Sequence, residues 1–383
     1  MKRLYRRPNI LVKSLSIAFI TICAMIFVAA AGYAAGDEKG EAPILKVGYI
    51  FTNHHTPLIV AAAKGEDFKS MGTYLKPIVP KERYELISDG KKIAILDLVV
   101  TKSGSESTTL FAQKHLDIAL ASITAVMAGL DQGTPLKILS PLQVEGMSLV
   151  FPKDSPINDW DGLMNHIKSA KEPVKIGYHS PTSAPKIVIE RGLGKAGVKV
   201  TEDANDGSAK VLLVDLKSTS NLIPALVGKQ VDGWVGPSPF PEVAVAQGAG
   251  KIIADLRDLP PKGFWNDFPC CVVAAREDVI AKYPEVIGKF VEVIVRSGEW
   301  CNKNKSEMGE LTAGWIGIPP AAAKASCLVY INSFSDQWVR GAGIYMEILN
   351  DMGNFKGQLK GKPAGELKSL MINPAFVEKV ILQ

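Results

Sequence analysis

Lys46-Val47-Gly48-Tyr49-Ile50-Phe51, then Thr52-Asn53-His54-His55, then Thr56-Pro57-Leu58-Ile59-Val60-Ala61-Ala62-Ala63: a β-rich run, a polar turn and an apolar helical run, in that order, decide the fold. Val, Tyr, Ile and Phe suit a pleated, half-buried strand. Pro57 suits the first turn of a helix, where its missing N–H costs nothing. The same grammar recurs along the chain. Ile93–Val100 leads to Ser103-Gly104-Ser105 and a helix over 108–114, Asp117–Ala121 leads through Ser122 and Thr124 into another helix, and Leu136–Leu139 and Met147–Phe151 read as strands. After Lys153–Pro156 the pattern starts again: strand Val174–Tyr178, loop His179–Ser183, helix Ala184–Leu193, strand Val211–Leu216, helix Asn221–Val227, strand Val231–Val235 and helix Pro239–Ala246. Strands at Lys251–Ala254 and Cys270–Ala275 and a long helix over Pro284–Trp300 follow. Strands alternating with helices predict an α/β fold with mixed, mostly parallel sheets flanked by helices. The twofold recurrence predicts two similar lobes, without a repeat of fixed period.

Charge points to the front of the chain. Of 383 residues, 44 are Lys or Arg and 39 are Asp or Glu, a formal +5. Lys2, Arg3, Arg6, Arg7 and Lys13 stand in residues 1–34, which contain no acid. They precede an apolar stretch from Leu15 to Ala31 and the small-residue pattern Gly32-Tyr33-Ala34. This is the pattern of a secretory signal peptide over 1–34, cleaved after Ala34. Without it, 39 basic residues face 39 acidic ones. No basic block remains to track phosphates, so nucleic acid is excluded as a partner. A periplasmic or otherwise extracytoplasmic, oxidising location follows.

In open α/β sheets ligands bind beyond the carboxyl ends of the strands, where helix N-termini present unpaired N–H groups. Six loops meet that description: Asn53–Thr56, Ser103–Ser105, Ser122–Thr124, His179–Ser183, Ser218–Ser220 and Gly236–Ser238. A short hydroxyl at such a place also serves as a plain helix cap, worth about 1 kcal/mol. Six of them on two lobes predict a shared cleft. The expected ligand-binding residues are His54, His55, Ser103, Ser105, Ser122, Thr124, His179, Ser180, Thr182, Ser183, Trp234 and Ser238.

Other motifs carry less. Gly192-Leu193-Gly194-Lys195-Ala196-Gly197 spells G-x-G-x-x-G but closes a helix instead of opening one, which excludes a dinucleotide site. His115 and His166 read as solvated, and the histidines show no metal-ligand spacing, so neither a metal nor a cofactor is expected. Adjacent Cys270 and Cys271 on a regular strand point to opposite faces. Cys301 and Cys327 are either bridged or free thiols.

Five segments occurring in order carry a family resemblance: His55-Thr56-Pro57-Leu58, Leu116-Asp117-Ile118-Ala119, Gly146–Asp154, Val231–Trp234 with Pro239-Phe240-Pro241, and Phe268–Val273. The series resembles the nitrate/sulfonate/taurine-type periplasmic solute-binding proteins of ABC importers. The resemblance implies a hinged, two-lobed periplasmic-binding-protein fold of type II, with lobe 1 from 44–151 and 269–383 and lobe 2 from 152–268. The chain would cross near Phe151–Pro156 and return near Phe264–Pro269. It further implies a monomeric, non-enzymatic carrier that closes on a small polar or anionic solute and delivers it to a membrane permease. Relatives often carry an acid in the loop before Pro-Phe-Pro; here it reads Gly236-Pro237-Ser238-Pro239, which favours an oxyanion or neutral polar group over an amine. Thiamine-pyrimidine synthases share the superfamily and use cleft histidines, which makes an enzyme the alternative; a ligand-sensing periplasmic domain is the other.

Overall fold

The structure is a computed structural model and describes residues 41–326 and 328–382. The expected signal peptide and Cys327 lie outside the described residues. Residues 44–383 form one compact unit holding two sheets. The strands are, in chain order, β1 Ile44–Tyr49, β2 Thr73–Val79, β3 Arg83–Ser88, β4 Lys91–Val100, β5 Ile118–Ser122, β6 Leu136–Val144, β7 Met147–Pro152, β8 Val174–Tyr178, β9 Val200–Thr201, β10 Val211–Asp215, β11 Gly233–Pro237, β12 Gly250–Asp255, β13 Pro269–Arg276 and β14 Val329–Tyr330.

The first sheet has eight strands in the order β14-β6-β13-β5-β1-β4-β3-β2, the second six in the order β12-β7-β11-β8-β10-β9. At the centre of the first, β1 runs parallel to β4 and β5; at the centre of the second, β8 runs parallel to β10 and β11. Antiparallel partners flank both centres: β13 against β5 and β6, and β7 against β11 and β12. Central strands covered on both faces become continuously apolar, as in β13, where all eight residues are buried. The α/β architecture with two mixed sheets flanked by helices is therefore the observed one.

The β2–β3 pair, a strand hairpin over 73–88, has no counterpart in the sequence reading. Lys76 and Pro77 break its apolar alternation, as befits the edge of a sheet. The 20-residue helix Pro284–Lys303 buries Ile287, Phe290, Val291 and Ile294 at helical spacing. Among the described residues, no helix is long and apolar enough to cross a membrane.

The chain passes from the first sheet to the second between Val144 and Met147, ahead of the expected Phe151–Pro156, because β7 already pairs with β11 and β12. The two residues of this crossing, Glu145 and Gly146, have φ of 65° and 73°. At Gly146 that conformation needs glycine, and a Cβ there would also collide with Leu328 Cδ2. The return crossing, from Asp255 to Pro269, is tied to the outward one. Glu145 accepts the Asp267 N–H at 2.9 Å and a hydrogen bond from Arg257 Nη1 at 2.7 Å, while its own N–H donates to Phe268 O at 3.3 Å.

Candidate functional site

All six polar loops named from sequence leave the carboxyl ends of mutually parallel strands, three per sheet: β1, β4 and β5 in one, β8, β10 and β11 in the other. They face each other. A cavity of about 30 Å³ lies between them, lined by Ile50, Thr52, His54, His55, Gly104 and Ser122 from the first sheet's loops and by His179, Ser183, Ala184, Pro185, Thr219 and Pro237 from the second's. Cys270 and Cys271 complete the wall. Such a space holds about two water molecules. The wall contains no Asp, Glu, Lys or Arg.

The rest of the interface is hydroxyls bonded across. Ser105 Oγ lies 2.8 Å from Ser180 Oγ and 3.0 Å from Thr182 Oγ1. Thr124 Oγ1 donates to Thr182 O at 2.6 Å, and Ser122 Oγ accepts the Ala184 N–H at 3.3 Å. Thr52 Oγ1 and the Asn53 N–H both donate to Ser238 O, at 2.6 and 3.2 Å. Of the expected site residues, His54, His55, Ser122, His179 and Ser183 line the cavity. Ser105, Thr124, Ser180 and Thr182 form the cross-sheet hydroxyl cluster beside it. The remaining three stand elsewhere. Ser103 caps the helix Gly104–Ala112 by accepting the Glu106 N–H. Trp234 is fully buried in the second sheet's own core with Val150, Leu216 and Leu222. Ser238 turns its hydroxyl away to donate to Glu242 Oε1 at 2.6 Å.

The histidines are held neutral or fixed in tautomer. His55 Nδ1 accepts the Ile50 N–H at 2.9 Å, so the ring proton is on Nε2, which has no partner. Burial, assisted by the neighbouring His54, pushes the His55 pKa down to about 3. His179 is 5% exposed, its Nδ1 has no partner, and burial pushes its pKa down to about 4. Two buried imidazoles thus bring unsatisfied polar atoms to one cavity, where burial without a partner costs about 1–3 kcal/mol each. His54 donates from Nε2 to Gly146 O at 2.9 Å and accepts the Gln143 amide on Nδ1 at 2.5 Å.

The cysteine pair was not foreseen. Both thiols reach the same cavity because β13 shifts register against β6 between Pro269 and Cys271 and again between Cys271 and Val272. Such a bulge breaks the alternation of faces that a regular strand imposes. Their sulfurs stand 3.9 Å apart, beside His54. The Gly192–Gly197 run closes the helix Ala184–Lys195, with Gly197 at φ 76°, as expected. A larger groove, about 520 Å³, runs between the helix Pro284–Lys303 and Phe376 to Val380, and none of the expected residues lines it.

These two sheets, with polar loops at facing strand ends, are those of the periplasmic-binding-protein fold. The periplasmic nitrate-binding protein NrtA from Synechocystis has the same fold, with a TM-score of 0.67 at 15% identity over 89% of each chain. The alkanesulfonate-binding protein SsuA from Xanthomonas axonopodis gives 0.61 at 13% identity over 85% of this chain and 98% of that one. Residues 38–317 match the NMT1-like family, and the chain belongs to it. An uncharacterized protein of Methanocaldococcus jannaschii is 36% identical over 119 residues, 30% of this chain and 82% of that protein. The nitrate import ATP-binding protein NrtC of Synechocystis is 22% identical over 331 residues; the match takes 84% of this chain but spans 44% of that relative's length.

Proposed function

We propose that this chain is the solute-binding component of an ABC importer. Outside the cytoplasm, behind a signal peptide over residues 1–34, it captures a small polar or anionic solute between two lobes and presents it to a membrane permease as a monomer. Lobe 2 comprises the six-stranded sheet and its helices, lobe 1 the remainder, and the segments tied by Glu145, Arg257 and Asp267 are the hinge. The observation that carries this reading is the cavity walled from both sheets, into which two buried histidines bring polar atoms without partners. A ligand that bonds both walls favours the closed arrangement by its differential affinity.

The wall sets the chemistry. Without a full charge it suits a neutral or singly charged solute, and the unpartnered His55 Nε2–H is a donor for an oxygen-bearing group. The NrtA and SsuA neighbours bind nitrate and alkanesulfonates; small oxyanions are accordingly the first class to try here. A thermal-shift screen of the mature chain with nitrate, bicarbonate, sulfonates, carboxylates and pyrimidines tests the proposal. A carrier gives a stabilised complex from which the ligand is recovered unchanged, about 2.7 kcal/mol of stabilisation at a hundredfold excess over Kd. Conversion of the ligand would instead establish the enzyme reading.

A further inference from the structure

We propose that His54, Cys270 and Cys271 form a binding site for one thiophilic d¹⁰ cation, Zn(II) or Cu(I), in the wall of the interlobe cavity. The proposal goes beyond the carrier reading and holds whether or not the cleft also takes an oxyanion.

The first argument is geometric. His54 Nδ1 stands 3.3 Å from Cys270 Sγ and 3.8 Å from Cys271 Sγ, and the two sulfurs are 3.9 Å apart. A tetrahedral ion with metal–sulfur bonds of about 2.3 Å and a metal–nitrogen bond of about 2.0–2.1 Å holds its sulfurs about 3.8 Å apart and each sulfur about 3.6 Å from the nitrogen. The three atoms therefore already describe one face of a coordination tetrahedron, to within a few tenths of an ångström.

The second argument is the surroundings of His54. Its Nε2–H donates to the Gly146 carbonyl, which puts the remaining lone pair on Nδ1, facing the sulfurs. Metal-bound histidines are oriented in this way by a carbonyl or carboxylate behind the ring. Without a cation that one lone pair faces an excess of donors, because the Gln143 amide and the Cys270 thiol both point at it. Binding breaks both S–H bonds, forms two sulfur–metal bonds and releases two protons to solvent, with no change of oxidation state. Gln143 turns its amide aside to free Nδ1.

The third argument is independent of the sulfurs. His55 and His179 line the same cavity with buried, unpartnered nitrogens, and His55 offers an N–H rather than a lone pair. That suits a donor to a fourth, exogenous ligand such as water or a small anion, in the open position beside three protein ligands.

The test uses the full mature chain, kept reduced, titrated separately with Zn(II) and with chelator-buffered Cu(I), and with Co(II) as a spectroscopic probe. One equivalent should bind, two protons should be released, and the Co(II) form should show thiolate charge-transfer bands and the strong visible bands of a tetrahedral site. Cys270→Ser and Cys271→Ser should each weaken binding about 100-fold or more, with unchanged far-ultraviolet circular dichroism. Cys301→Ser, at a buried thiol packed with Val60, Phe68 and Tyr330, should leave it unchanged. The Co(II) spectrum of the wild-type protein decides the matter even if the variants fold poorly. A reduced protein that takes up no metal, or one whose binding survives the double replacement of Cys270 and Cys271, overturns the proposal. Neither result bears on solute binding, which the thermal-shift screen reads separately.

Discussion

His179 provides a prediction whose size follows from the structure. Its imidazole is buried in the cavity wall and its pKa is pushed from 6.5 to about 4, first by burial and then by the neighbouring His54, against a smaller upward pull from Asp215. In the unfolded chain the ring protonates near 6.5. Between these values the unfolded state binds a proton that the folded state does not, so stability falls as the pH falls through that window. From pH 7 to pH 5 the loss from this one group is about 2 kcal/mol. The perturbation is His179→Gln, and the assay is urea denaturation of both proteins at the two pH values without added solute. His55 adds a slope of the same sign, and Glu242 and Asp255, whose carboxyls burial holds high, add slopes of the opposite sign. All three are common to both proteins, so the difference between the variants isolates His179. The wild type should lose about 2 kcal/mol more than the variant on acidification. Equal losses would refute the burial argument.

Further predictions concern the crossings and the frame. Glu145→Ala removes a buried carboxylate from both Arg257 and the Asp267 N–H and should cost about 2–3 kcal/mol in urea denaturation, with Glu145→Gln recovering part of it. Gly146→Ala combines a positive φ with a Cβ clash against Leu328 and should lower the melting temperature by several degrees; an unchanged value would contradict the tight crossing. Asp131 accepts the N–H groups of Lys356, Gly357 and Leu359, so Asp131→Ala should cost about 3 kcal/mol and raise hydrogen exchange in 353–361. Mass spectrometry of exported protein should find a mature chain beginning at or near Ala35, and an intact Met1 in that pool would remove the signal-peptide reading.

Much of this architecture was legible because strand ends and helix starts have chemical signatures. Apolar β-branched runs followed by Ser, Thr, His or Asn marked the loops after β1, β4, β5, β8, β10 and β11, and the tendency of ligands to bind beyond strand carboxyl ends brought them together. The hairpin of β2 and β3 escaped because edge strands carry Lys and Pro, which erase the alternation. Ser103 and Ser238 show the limit of residue type as a signal: a hydroxyl at a helix start can cap that helix or bond a neighbouring carboxylate, and only tertiary placement separates these from facing a ligand. Trp234 belongs to the second sheet's core, packed with Val150, Leu216 and Leu222, and Gly236, two residues on and on the same face, leaves room for its ring, since a Cβ there would stand 3.1 Å from Trp234 Cζ3. The Cys270–Cys271 pair was hidden by the opposite failure. Alternation was assumed where a bulge suspends it, and nothing in the local sequence announces a register shift imposed by β6.

The central claim is that one solute is held from both sheets at once. Hydrogen–deuterium exchange of the mature chain, with and without a hit from the oxyanion screen, tests it directly. The account predicts slowed exchange together in 52–56, 103–105 and 122–124 from the first sheet and in 179–183 and 218–220 from the second. Protection confined to one sheet's loops, or appearing instead along the groove between Pro284–Lys303 and Phe376 to Val380, would contradict it.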